Sequence, residues 1–140
     1  MRIRSSVREV ALILGLTTTA AWANAQDVAS IASQYAMAAK QESPTFAGFV
    51  AERGRQLFTS THGGEWSCAS CHTQNPLLPG RHAKTHKEIA PLAPATNPQR
   101  FTSLEKAEKW FKRNCNDVLG RPCTAEEKGD VLAYLMLLKP

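Results

Sequence analysis

The chain has 140 residues, 43% of them hydrophobic, with 17 Lys or Arg against 12 Asp or Glu. That length sets one small domain. Without the N-terminal stretch described next, the balance falls to 14 cations against 11 acids, too small a surplus to imply nucleic acid or an anionic membrane as partner.

Arg2, Arg4 and Arg8 precede an uncharged, mostly apolar run from Val10 to Ala21, and Ala23-Asn24-Ala25 then reads as a cleavage site. The run falls short of the roughly 20 residues a membrane span needs. Residues 1–25 are therefore expected to be a signal peptide removed after Ala25, and residues 26–140 the folded domain. Export to an oxidising periplasm would leave the four cysteines paired or ligated.

The spacing of Val28, Ile31, Tyr35 and Ala38 predicts a helix from Asp27 to Gln41, broken by Glu42-Ser43-Pro44-Thr45. A second helix is expected from Phe46 to Thr59 and a loop at Thr61-His62-Gly63-Gly64. Asn75 to Pro98 contains five prolines and is expected to be irregular, a length unusual unless it surrounds something. Thr102 and Glu105 form a capping box for a helix to about Asn114, with Leu104, Ala107, Trp110 and Phe111 as its apolar stripe. Gly120 and Pro122 mark a short loop. Thr124 and Glu127 cap a last helix carrying Val131, Tyr134, Leu135 and Leu138. No strand is expected.

Between the second helix and the proline-rich loop stands Cys68-Ala69-Ser70-Cys71-His72. Cys-x-x-Cys-His is the attachment signature of c-type haem: two thiols for the porphyrin and one imidazole, His72, for the iron. Zinc held by all four cysteines is the competing reading, but the Cys115 to Cys123 gap is long for a zinc half-site and the following His would have no role. A thioredoxin-like motif would need a βαβ setting that the pattern lacks.

Arg53-Gly54-Arg55-Gln56-Leu57-Phe58 and Ala133-Tyr134-Leu135 resemble the two crossing helices of class I cytochromes c. The resemblance implies an all-α fold of four to five helices around one covalent haem c. Gly54 would permit close approach, and Phe58 and Tyr134 would fill the crossing. Nine residues separate Phe58 from Cys68, more than that family usually has, so Thr59 to Ser67 reads as an inserted loop.

The residue opposite His72 decides the function. Met is the usual ligand, but Met1 leaves with the leader, and Met37 and Met136 lie outside the familiar loop and read as core packing. His62, His82 and His86 would give a permanent bis-His electron shuttle, although the basic stretch around His82 and His86 reads more simply as a solvated loop. Cys115 and Cys123 can close a small disulfide loop, and Asn114 just before it would ordinarily be read as a cap or turn residue.

Arg113-Asn114-Cys115-Asn116, Leu119-Gly120-Arg121, Cys123-Thr124, Lys87 to Pro94 and Arg100-Phe101-Thr102 together resemble the oxygen-binding cytochromes c named SHP (sphaeroides haem protein). That resemblance implies Asn114 as the distal ligand of oxidised haem, released on reduction so that oxygen or another small diatomic can bind. It implies a Cys115–Cys123 disulfide, with a dihaem cytochrome c and a membrane b-type cytochrome as electron donors. Pro91 and Leu92 are expected to line the haem pocket, with Trp110 or Phe111 against the ring. Turnover of oxygen, peroxide or nitric oxide is compatible with this reading, as is simple ligand binding with electron transfer. Lys106, Lys109, Lys112 and Arg113 read either as a docking face or as the solvated side of their helix.

Overall fold

The structure, a computed structural model, describes residues 27–140; the expected signal peptide lies outside them. Among the described residues, five helices and one short strand pair follow in chain order. Helix α1, Val28–Glu42, starts where the Asp27 carboxylate accepts the Ser30 N–H at 2.7 Å. It buries Ile31, Tyr35 and Ala39, the first two packed with Leu132 and Ala107. The Glu42 carboxylate at its end accepts the Ala125 N–H at 2.9 Å, tying the end of α1 to the start of the last helix.

Helix α2 runs Ala51–Thr59 and not from Phe46. Gly48 has φ +124°, and Val50 is extended because its N–H donates to the buried Asp130 carboxylate at 2.6 Å. A tertiary bond thus replaces the early helical turn. The helix crosses α5, Ala125–Leu137, at Gly54, where a β-carbon would meet the Asp130 carbonyl. Phe58 and Tyr134 fill the crossing with ring centroids 5.6 Å apart.

Helix α3, Cys68–His72, is a single turn capped by Ser67, whose hydroxyl accepts the Ser70 N–H while Ser70 returns the bond. The proline-rich segment that follows contains an unexpected antiparallel pair, β1 Gly80–Arg81 with β2 Glu88–Ile89. Two-residue strands carry no alternation for a sequence to display; packing selects them. A β-carbon at Gly80 would lie 2.0 Å from the Cys71 carbonyl oxygen, so glycine lets β1 press against α3. Arg100 holds the loop from the other side, donating to the Pro91 and Ala90 carbonyls at 3.0 and 2.7 Å.

Helix α4 spans Leu104–Leu119. Its cap is Ser103, which accepts the Lys106 N–H; Thr102, the expected cap, donates instead to the Gln99 carbonyl. The helix also continues past Asn114, ending where Gly120 adopts a left-handed conformation at φ +68°. Asn114 is therefore a helical residue rather than a terminal one. Cys115 and Cys123 are joined as a disulfide that connects α4 to the start of α5. Helix α5 begins with the Thr124–Glu127 capping box and buries Val131, Leu132, Tyr134 and Leu135.

Candidate functional site

α2, α3, α4 and α5, together with Leu92 and Phe101, enclose a cavity of about 590 Å³, counted with its open mouth. Its walls are almost wholly apolar: Phe58 from α2, Leu92 and Phe101 from the loop, Trp110, Phe111 and Val118 from α4, Leu135 from α5. His72 and Asn114 are the uncharged polar exceptions. Neither side chain has a hydrogen-bond partner among the described residues.

α3 positions the residues of the Cys-x-x-Cys-His motif. Cys68 and His72 both line the cavity, four residues apart and so on one helix face. Cys71 is not in the lining; its Sγ accepts the Ala83 N–H at 3.3 Å from the turn of the strand pair. Burial, with a smaller contribution from the Arg100 charge, lowers the His72 pKa to about 4. The imidazole is thus neutral across physiological pH, the form that ligates a metal. Burial pushes the Cys68 thiol up to about 11.

Of the expected pocket residues, Leu92, Trp110 and Phe111 line the cavity. Pro91 does not: its carbonyl is taken by Arg100 Nε and Asn97 Nδ2, each at 3.0 Å, and Leu92 alone reaches inward. Sequence reasoning missed Phe101, whose position beside Arg100 gave no periodic signal because it lies in a turn at φ +54°. It also missed that Cys115 and Cys123 both line the cavity, so the disulfide forms part of the wall beside Asn114.

The other candidate ligands lie elsewhere. His62 Nε2 is 2.9 Å from the Leu57 carbonyl, and His82 Nδ1 accepts the Lys84 and Thr85 N–H groups in its own turn. His86 is exposed. Met37 and Met136 are 60% and 44% exposed, not core residues as their sequence positions suggested. Among the described residues no three His, Cys, Asp or Glu side chains converge on a possible metal position, which gives four-cysteine zinc no support. An apolar slot with one free neutral imidazole and one free carboxamide fits a flat apolar cofactor carrying a metal with axial positions.

The family described as a domain of unknown function, DUF1924, matches residues 44–135. The chain is 52% identical over 89 residues to cytochrome c-type protein SHP of Cereibacter sphaeroides, covering 61% of this chain and 68% of that protein. It is similar to the structure of oxidized SHP, described as an oxygen-binding cytochrome c. That match has a TM-score of 0.70 and 45% identity, over 79% of this chain and 96% of the other. It is also similar to the solution structure of cytochrome c'' from Methylophilus methylotrophus, described in terms of haem-ligand detachment. There the TM-score is 0.69 and the identity 36%, over 81% and 94% of the two chains.

Proposed function

The chain belongs to the family of SHP and cytochrome c'', so it is a haem cytochrome c, and on that premise we propose that it holds one covalent haem whose distal ligand, Asn114, leaves on reduction to admit a small diatomic molecule. The observation that carries this reading is the shared apolar cavity in which His72 and Asn114 are the two uncharged polar side chains, both without hydrogen-bond partners among the described residues.

When bound, the haem would supply a one-electron redox change, and His72 and Asn114 are the residues that would ligate its iron. Cys68 and Cys71 provide the thioether sulfurs, and His72 the neutral proximal imidazole. The Asn114 carboxamide is a neutral, weak donor whose dipole is held better by the more highly charged oxidised iron. Its hold on the iron would therefore weaken on reduction, while α4 and the adjoining disulfide keep the side chain beside the cavity. The freed amide can then donate a hydrogen bond to a diatomic ligand entering the cavity. The placement of His62, His82 and His86 away from the cavity gives a permanent bis-His shuttle no comparable support.

We further propose export to a periplasm with cleavage after Ala25, and electron supply from a dihaem cytochrome c and a membrane b-type cytochrome. The test is an absorption spectrum of the purified protein, oxidised, anaerobically reduced, and reduced under carbon monoxide. A high-spin reduced spectrum that shifts with carbon monoxide is expected. A sharp low-spin reduced spectrum indifferent to carbon monoxide overturns ligand release, and a colourless protein overturns haem attachment.

A further inference from the structure

The outer face of α4 carries Lys106, Lys109, Lys112 and Arg113, all exposed. None of them forms an ion pair with an acid among the described residues. The one acid within this run, Glu108, is engaged by Lys128 at 2.8 Å; Glu105 and Asp117 flank the run on either side. In the middle of these cations stands Trp110, 52% exposed, with the Arg113 guanidinium 6.0 Å from its ring centroid. Trp110 also lines the cavity, so a single side chain reaches from solvent to the site. Asn114 lies one turn further along the same helix.

We propose that this face of α4, centred on Trp110, is where an acidic electron-donor protein docks. The inference rests on the haem reading above and names the partner's chemistry: a redox protein with carboxylates around its own electron-transfer group. Unpaired cations steer such a partner by long-range attraction. A half-exposed aromatic flanked by Arg is the kind of residue that anchors the centre of an interface. Docking there brings the donor against the wall of the cavity, on the helix that bears Asn114.

The strand-pair turn offers a control. It also holds exposed cations without ion pairs among the described residues, Arg81, Lys84 and Lys87, but no exposed aromatic that lines the cavity. The experiment uses the haem-loaded protein and reduced flavodoxin, an acidic one-electron donor, with photoreduced lumiflavin as a neutral donor. In K109E/K112E the flavodoxin rate at low salt is expected to fall about tenfold and to lose most of its salt dependence. The lumiflavin rate stays within about twofold of wild type, as does the flavodoxin rate of K84E/K87E. In wild type, adding oxidised flavodoxin moves the Trp110 indole N–H resonance and leaves that of Trp66 in place. An unchanged flavodoxin rate in K109E/K112E, a loss carried by K84E/K87E, or equal losses in both variants overturns the proposal. Helix content by circular dichroism confirms that each variant is folded. The haem spectrum is read first, so failure of the haem reading is seen before any rate is measured.

Discussion

Gly54 sits so close to Asp130 that a β-carbon on residue 54 would lie 1.9 Å from the Asp130 carbonyl oxygen. The obstacle is backbone, which cannot swing aside as a flexible side chain would. Gly54→Ala must therefore push α2 away from α5 and loosen the Phe58–Tyr134 contact below it. Overpacking of this kind costs about 1–3 kcal/mol, and a fixed carbonyl puts this site at the upper end. Chemical denaturation of the haem-loaded variant measures the loss; a change within error would mean that the helices separate freely.

Asp130 is 3% exposed and receives the Val50 N–H and Arg53 Nε, both at 2.6 Å. Asp130→Ala leaves the Val50 donor unsatisfied and Arg53 with its more exposed acid, Glu126, and the Gly48 carbonyl. A loss of about 2–3 kcal/mol is expected, with Asp130→Asn intermediate because it keeps one acceptor. Denaturation midpoints of the two variants check the order.

Asn114→Ala removes the proposed distal ligand, so the oxidised protein should become high-spin and bind added cyanide faster than wild type. Asn114→His supplies a stronger ligand from the same helix position. That variant should stay low-spin on reduction and resist carbon monoxide. Identical spectra for wild type and Asn114→Ala in both redox states would remove Asn114 from the mechanism.

The disulfide closes a small loop, and its removal in Cys115→Ser with Cys123→Ser is expected to cost about 2.5 kcal/mol from chain entropy. Because both cysteines line the cavity beside Asn114, carbon monoxide affinity should change as well. Equal affinities before and after thiol treatment, in protein shown to be reduced at both cysteines, would confine the bond to a structural role.

Hydrogen bonds from the Arg121 guanidinium, helped by the Thr124 N–H, hold the Glu127 carboxyl below its ordinary value. The unfolded chain therefore takes up this proton first as pH falls below about 4.3. Stability is present in full above that pH and drains away as pH approaches the lower native value. Glu127→Gln should lose part of this acid-side slope while changing little near neutrality beyond the ion pair itself. Thermal midpoints from pH 3 to pH 7 would show it, and parallel curves for variant and wild type would count against the assignment.

Periodicity placed α1 closely, and the Thr124–Glu127 capping box placed the start of α5, because both signals act within their own segments. The same reasoning started α2 too early, since the Val50 N–H goes to an acid eighty residues away, a partner no local pattern shows. It ended α4 too soon because Asn114 and the cysteine after it look like a terminus, whereas Gly120 is the residue that turns left-handed. Cys68, His72 and Leu92 reach the cavity from positions the sequence already singled out. Phe101 and the disulfide wall depend on how α4 lies across the slot, a matter of packing.

That longer α4 changes the kind of motion the proposed release of Asn114 would require. A ligand carried on a loop leaves by moving its backbone, which takes nanoseconds to microseconds. Asn114 stands inside a 16-residue helix, more than a full turn before its end, with the neighbouring cysteine anchored to α5. With the backbone held in the helix, the proposed release would reduce to rotation about the Asn114 side-chain bonds. On the proposed mechanism, the same short swing would return the amide when the electron leaves.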